Sequence, residues 1–156
     1  MNIIITGASS GIGYETALKL CQNPYNEVIA IARNKDKLMK LYDRSKELYP
    51  DSHLIPYSFD IDRDSTDSLY TFIGKYKTFD ILINNAGTIT PKPFLELSDQ
   101  DWLRMFRVNV LGPVKLIRKL APHMGEKQRA HIVNISSMGG FQGSVKFPGL
   151  SAYSAS

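Results

Sequence analysis

Short apolar runs alternate along the chain with longer segments in which apolar residues recur every three or four positions. The runs predict β-strands and the periodic segments predict α-helices. Runs such as IIIT, VIAIA and ILIN are apolar almost throughout, so both faces of these strands are expected to be covered, as in a parallel sheet between helical layers. The predicted strands are 2–6, 27–32, 53–59, 79–84 and 130–136, and the predicted helices are 11–22, 35–49, 64–76 and 98–124.

This order of elements predicts one α/β domain over residues 1–156, with a doubly wound parallel sheet of the Rossmann type. The third predicted strand contains Pro56, which has no N–H to donate to a neighbouring strand. That strand is therefore expected at an edge, which fits the strand order 3-2-1-4-5. No internal repeat or linker divides the domain.

The first predicted strand runs directly into a glycine-rich turn, and the turn opens a helix. Glycines let the backbone turn tightly and approach a phosphate, and a helix N-terminus offers free N–H groups and the positive end of a dipole. The sequence thus predicts a dinucleotide site. Its turn comprises Thr6, Gly7, Ser9, Ser10, Gly11, Ile12 and Gly13.

The end of the second predicted strand indicates which dinucleotide binds. Ala32 stands where an acidic residue would bind a ribose 2′-hydroxyl, and Arg33 and Asn34 follow it at the start of a run of basic residues. A guanidinium can hold a 2′-phosphate with two hydrogen bonds. The pattern therefore favours NADP over NAD, and the alternative is that Arg33 is an ordinary surface charge.

Further motifs follow the glycine turn in a fixed order. They are Asn84-Asn85-Ala86-Gly87 after the fourth strand, Asn109 in the long helix, Ser136-Ser137 after the fifth strand, and Tyr153. With this set the whole chain resembles the short-chain dehydrogenase/reductase family, in its single-domain branch. The resemblance implies an oxidoreductase that interconverts a carbonyl and an alcohol in a small-molecule substrate by hydride transfer.

The resemblance also assigns positions around the coenzyme. It implies that Asp60 and Ile61, which follow the third predicted strand, contact the adenine ring. It further implies that the segment after the fourth strand flanks the adenosine, through Asn85, Ala86 and Gly87.

Asn109, Ser137 and Tyr153 match catalytic positions of that family. The resemblance implies that Tyr153 gives or takes the proton, Ser137 hydrogen-bonds the substrate oxygen, and Asn109 helps to position a water relay. A phenol titrates near pH ~10 unless a nearby cation lowers its pKa. In the family this cation is a lysine four positions after the tyrosine, which here would directly follow Ser156, so the domain is expected to be incomplete at its C-terminus.

Asn109 also stands out from the helical pattern alone. A stripe at steps of three and four predicts that Asn109 lies on the buried face of the long helix. Pro113 lacks the N–H that would bond to the carbonyl of residue 109, which predicts a kink that frees this carbonyl for water. The alternative is an ordinary proline kink, with Asn109 bonded to a neighbouring loop. The stripe is Trp102, Phe106, Asn109, Pro113, Ile117 and Leu120.

Charge and composition argue against several other classes of protein. The net charge of +4 is spread along the chain without an aromatic-rich basic strip, so no nucleic-acid partner is expected. No apolar run approaches the ~20 residues that span a bilayer, so no membrane partner is expected. The single cysteine, Cys21, is expected to be buried and fits a cytoplasmic location. The three histidines share no ligand spacing, so no metal site is expected.

Two other functions remain open on the sequence. A chain without the lysine could be a non-catalytic dinucleotide-binding module that acts as a sensor or scaffold. An epimerase or dehydratase relative with bound NAD is the second alternative, although its glycine turn usually has another spacing and Ala32-Arg33 argue against it. The family resemblance implies a homo-oligomer at full length. The fifth strand is expected to be an exposed apolar edge, which favours aggregation or stabilisation by a partner.

Overall fold

A five-stranded parallel sheet forms the centre of the molecule, with strand order β3-β2-β1-β4-β5. The computed structural model describes residues 1–125 and 129–156, and all side chains within them except those of residues 66 and 70. The observed strand order confirms the predicted doubly wound sheet. The strands are β1 (Asn2–Thr6), β2 (Glu27–Ala32), β3 (His53–Ser58), β4 (Ile81–Asn84) and β5 (His131–Asn134).

Every α-helix except the last lies between two successive strands, as the alternating pattern predicts. Strands β1 and β2 have the predicted bounds, whereas β3, β4 and β5 are shorter than predicted. At the start of the fourth predicted strand, Phe79 forms only an isolated bridge to Met124. The helices are α1 (Gly11–Leu20), α2 (Lys35–Leu48), α3 (Thr66–Ile73), α4 (Asp99–Phe106), α5 (Gly112–Leu120) and α6 (Ser151–Ala155).

Strand β3 lies at the edge of the sheet, where Pro56 predicts it. Pro56 faces Ala30 of β2 in the parallel register, so its missing N–H falls on a strand that has one neighbour only. At the opposite edge, every residue of β5 is exposed in this chain, including Ile132 and Val133. The expected exposed apolar edge is therefore present.

The sheet separates two hydrophobic clusters, because successive side chains of a strand point to opposite faces. Ile3 and Ile5 pack in one cluster and Ile4 packs in the other, and all three are fully buried. The first cluster includes residues of α1 and α2, and the second includes residues of α3 and α5. Burial on both faces explains why these strands read as continuous apolar runs.

The predicted long helix 98–124 is interrupted, and this prediction was wrong in detail. Between α4 and α5 lies a π-helical turn, Arg107–Leu111, in which the Gly112 N–H donates to the Arg107 carbonyl. The turn occupies the place where the sequence predicts a kink before Pro113. A π-helical turn accommodates one extra residue per turn and so changes which positions share a face.

The buried face of this segment also differs from the predicted stripe. Trp102 and Phe106 are not buried; their rings stack on each other at 6.5 Å, and Phe94 meets Trp102 edge-on at 6.2 Å. These aromatic rings cover one another on the outside of the domain instead of entering the core. Of the predicted stripe only Leu120 is buried. The residues that are buried are Met105, Val108, Gly112, Leu116 and Leu120.

Cys21 is buried, as predicted, and it lies at the C-terminal cap of α1 rather than within the helix. Burial raises the pKa of its thiol to about 11, so the group is protonated at neutral pH. No helix in the described parts of the chain has the length and apolar content needed to cross a bilayer.

Candidate active site

The glycine-rich turn after β1 packs directly on the segment after β4. Gly7 and Gly11 have φ angles of +68° and +57°, a region that glycine enters without a steric penalty. A Cβ on Gly7 would lie 2.8 Å from Ala86 Cα, and one on Gly13 would lie 2.4 Å from Asn85 Nδ2. Close packing therefore requires glycine at positions 7 and 13, and at position 7 the turn geometry requires it as well.

Thr6 and Asn85 lock the ends of β1 and β4 together. The Thr6 hydroxyl oxygen accepts hydrogen bonds from the backbone N–H groups of Asn85 at 3.1 Å and Ala86 at 3.0 Å. In return, Asn85 Nδ2 donates to the carbonyls of Thr6 at 3.1 Å and Gly7 at 3.3 Å. These side chains hold the turn in place against the segment after β4.

The N-terminus of α1 is open toward this turn. Ser10 is the N-cap residue with an extended backbone, and its side chain makes no capping hydrogen bond. The first turn of α1 carries no acidic residue. Its N–H groups and the positive end of the helix dipole are therefore available to an anionic group.

A crevice of about 520 Å³ runs from the glycine turn to the ends of β2 and β3. We call it the turn crevice. Every predicted coenzyme residue except Gly11 and Gly13 lines it, so the fold brings these residues together around one crevice. The predicted residues that line it are Thr6, Gly7, Ser9, Ser10, Ile12, Arg33, Asn34, Asp60, Ile61, Asn85, Ala86 and Gly87.

Some lining residues were not predicted, among them Lys37, Phe59 and Val108. Lys37 belongs to the basic run after β2, which was a signal in the sequence. Asn34 lines the crevice, but its Oδ1 atom already accepts from Lys37 N at 2.9 Å and caps α2. The Asp60 carboxylate likewise accepts a hydrogen bond from Asp62 N at 2.9 Å, which stabilises the loop after β3.

A second cleft, of about 620 Å³, contains all three predicted catalytic residues: Asn109, Ser137 and Tyr153. We call it the tyrosine cleft. It shares Ile12 and residues 85–87 with the turn crevice, so the two cavities adjoin along a common wall. Residues far apart in sequence are thus collected at the carboxyl ends of β4 and β5, where α/β sheets commonly bind ligands.

Ser137 and Tyr153 lie on short elements above β5. Ser137 precedes a single 3₁₀ turn, Met138–Gly140, and its Oγ accepts from Gly139 N at 3.1 Å. This capping bond uses a lone pair of the hydroxyl and leaves its hydrogen free to donate. Tyr153 is half-buried in α6.

Asn109 joins two walls of the tyrosine cleft. Its Oδ1 accepts from Thr88 N at 2.8 Å, and its Nδ2 donates to Thr88 O at 3.0 Å and to Ser156 Oγ at 2.8 Å. The side chain of Asn109 is therefore bonded to a neighbouring loop, which is the alternative that the sequence left open to a kink that frees the backbone carbonyl. The π-helical turn presents that side chain to the loop after β4.

Asn84 lines the tyrosine cleft. In the sequence it is part of the motif after the fourth strand, with no role predicted for it alone. Its Nδ2 donates to Asn134 Oδ1 at 2.9 Å and links the ends of β4 and β5. Its own Oδ1 is buried and has no hydrogen-bond partner among the described residues. An unsatisfied buried acceptor costs roughly 1–3 kcal/mol.

Lys92 links two loops near the ends of the strands. Its backbone N–H donates to Gly149 O at 3.1 Å, which connects the loop after β4 to the loop before α6. Its ammonium group pairs with Asp101 at 2.9 Å. Hydrogen bonds from Lys92 and then from Ser98 lower the pKa of the Asp101 carboxyl to about 2, so this ion pair persists at neutral pH.

Replacing Asn109 with alanine is expected to destabilise the chain by about 1–3 kcal/mol, because the Thr88 N–H and C=O lose their partners. Urea denaturation followed by circular dichroism measures this loss. Asn23→Ala is the matched control, since Asn23 makes only a local turn bond at an exposed site. Equal losses in the two variants would contradict a bridging role for Asn109.

Comparison with known proteins gives a consistent result. The family model described as short chain dehydrogenase matches residues 1–156. An uncharacterized oxidoreductase of Staphylococcus saprophyticus is 37% identical over 153 residues, covering 97% of this chain and 59% of the relative. The chain therefore spans well under two thirds of that relative's length.

Solved structures agree with this match. A short-chain dehydrogenase from Streptomyces avermitilis is 34% identical with a TM-score of 0.82, covering 99% of this chain and 54% of that one. A metagenomic short-chain oxidoreductase, solved in complex with NADP, is 29% identical with a TM-score of 0.84, covering 99% of this chain and 69% of that one. This chain belongs to the short-chain dehydrogenase family.

Proposed function

We propose that residues 1–156 form the coenzyme-binding and catalytic part of an NADP(H)-dependent oxidoreductase that interconverts a carbonyl and an alcohol. One observation carries the proposal: the turn crevice and the tyrosine cleft share Ile12 and residues 85–87 as a common wall. A dinucleotide anchored at the glycine turn would extend along this wall toward Tyr153.

The residues of the turn crevice fit a dinucleotide. The absent side chains of Gly7 and Gly13 leave room for the turn to close on Asn85 and Ala86, and the open N-terminus of α1 suits a pyrophosphate. When bound, a nicotinamide coenzyme supplies or accepts the hydride. Arg33 and Lys37 line the far end, which favours the extra phosphate of NADP, and the NADP-bound metagenomic relative supports this choice.

The roles proposed for the cleft residues are those that the family resemblance implies. Tyr153 gives the proton to the substrate oxygen or takes it back. Ser137 donates a hydrogen bond to the same oxygen; the bond that it accepts from the Gly139 N–H leaves its hydroxyl hydrogen free to do this. Such a donor stabilises the charge that develops on the oxygen. Asn109 is a positioning residue that keeps the loop at Thr88 in place beside them and helps to order a water relay.

The experiment that tests the function is a turnover assay with NADPH and a panel of simple ketones, together with a coenzyme-binding titration. Oxidation of NADPH that depends on the ketone supports the proposal. Tight NADPH binding without oxidation would instead support a non-catalytic dinucleotide-binding module.

Coenzyme choice has its own test in Arg33. Arg33→Ala is expected to raise the Kd for NADPH about 10- to 100-fold, because charge-assisted hydrogen bonds contribute about 1.5–3 kcal/mol. The Kd for NADH should change by no more than about twofold. Lys40→Ala removes the same charge from an exposed position of α2 outside the crevice, and it serves as the control. Tighter binding of NADH than NADPH by the unmodified chain would overturn the assignment.

A further inference from the structure

A third cavity, of about 540 Å³, adjoins the turn crevice, and the two share Arg33 and Asp60. We call it the arginine pocket. Its guanidinium groups come from separate parts of the chain: the loop after β2, the loop after β3, and the end of α4 with the π-helical turn. The lining residues are Arg33, Asp60, Asp62, Arg63, Arg104 and Arg107.

Of the two carboxylates of this pocket, Asp62 is paired with an arginine, and Asp60 accepts a backbone hydrogen bond but keeps its negative charge. Arg107 Nε pairs with Asp62 Oδ1 at 2.7 Å, and the Asp62 carboxylate is 14% exposed. Asp60 Oδ1 accepts the Asp62 backbone N–H at 2.9 Å. These contacts hold the loop after β3 against the π-helical turn, so this side of the pocket is fixed in place.

The remaining three arginines outnumber Asp60, the carboxylate of the pocket that forms no ion pair in the part of the chain that the structure describes. Within the described ranges 1–125 and 129–156, no carboxylate forms an ion pair with Arg33, Arg63 or Arg104. All three side chains belong to exposed residues. Positive groups that converge on a concave surface focus the electrostatic potential and attract anions.

We propose that the arginine pocket binds a phosphate dianion, held by Arg63 and Arg104 with Arg33 at its border. A guanidinium presents a planar fork that matches phosphate oxygens, and several such forks discriminate strongly for a dianion. Two sources share this chemistry: free inorganic phosphate, and the 2′-phosphate of the coenzyme. Only the second source rests on the proposed function.

The first arm of the test uses inorganic phosphate alone. Calorimetric titration of the purified chain at constant ionic strength measures the Kd, first unmodified and then as Arg63→Gln and Arg104→Gln. Each variant is expected to weaken phosphate binding at least about fivefold, since each loses one charge-assisted contact. Arg44→Gln is the control, because Arg44 is exposed, pairs with Glu47 and lies outside the pocket. Arg107 is left intact because its loss would also break the Asp62 pair.

The second arm compares NADPH with NADH in the same variants. If the 2′-phosphate is the source, Arg63→Gln and Arg104→Gln weaken NADPH binding about fivefold or more and leave NADH unchanged. An effect in either arm that exceeds the Arg44→Gln control supports the pocket and identifies its source. No difference from that control in both arms overturns it.

Failure of the coenzyme proposal is recognised separately. If the unmodified chain binds NADPH no better than NADH, the proposed use of NADP fails, and the phosphate arm alone then decides the pocket. Far-UV circular dichroism confirms that each variant is folded, and Arg104→Lys provides a second variant that keeps the charge but removes the fork.

Discussion

Replacing Tyr153 with phenylalanine is expected to lower kcat/KM for ketone reduction by about 10²- to 10⁴-fold, the usual contribution of a general acid. The substitution removes one hydroxyl group and keeps the half-buried ring in α6. Coenzyme binding should therefore stay within about twofold of the unmodified chain. A loss of turnover with retained binding separates the proton step from the binding step.

Steady-state NADPH oxidation and a fluorescence titration with NADPH measure the two quantities. Tyr25→Phe is the control, because Tyr25 is 86% exposed and lines neither the turn crevice nor the tyrosine cleft. An unchanged kcat/KM in Tyr153→Phe would rule out this residue as the proton donor. Weakened NADPH binding in the same variant would assign the hydroxyl to the coenzyme site instead.

Replacing Gly13 with alanine is expected to weaken NADPH binding more than about tenfold and to destabilise the chain by about 1–3 kcal/mol. The added Cβ would lie 2.4 Å from Asn85 Nδ2 and 2.5 Å from the Gly7 carbonyl oxygen. Neither neighbour is a flexible chain end, since one is bonded to the turn and the other is backbone. The turn must therefore move away from the segment after β4.

Thermal unfolding and an NADPH titration give the two effects of Gly13→Ala. Gly143→Ala is a useful control, because its φ of +78° makes it strained while its Cβ meets nothing within 4 Å. It should lose some stability and leave NADPH binding unchanged. If Gly13→Ala binds NADPH as well as the control does, close packing of this turn is not what shapes the coenzyme site.

The strand order could be predicted because two independent signals agree. Pro56 excludes the third strand from the centre of the sheet, and apolar runs such as the one in β1 require cover on both faces. The glycine turn was equally readable, because its spacing between a strand and a helix follows from backbone geometry. Both signals are local, so neighbouring residues alone carry them.

The interruption of the long helix could not be read from the pattern. A stripe at steps of three and four assumes regular α-helical geometry, and the π-helical turn at Arg107–Leu111 breaks that assumption. Trp102 and Phe106 misled the prediction further, because large aromatic residues suggest a core but here stack outside it. The choice of face depends on tertiary contacts that a single helix does not encode.

The candidate site was only partly predictable for a related reason. Sequence spacing named candidate residues, but it did not show that Thr6 and Asn85 bond to each other across the strand ends. The arginine pocket was also invisible, since Arg33, Arg63 and Arg104 come from elements that meet only when the sheet is assembled. Proximity of this kind is a property of the fold, not of any segment.

The π-helical turn has a consequence for how this protein tolerates change in length. Deleting one residue from Arg107–Leu111 would restore regular α-helical winding and displace the side chains of this turn relative to α4 and α5. Asn109 would then lose its hydrogen bonds to Thr88, and Arg107 would lose its ion pair with Asp62. The tyrosine cleft and the arginine pocket would therefore be altered together. A deletion that is harmless in a surface loop would here act like the loss of two side chains at once.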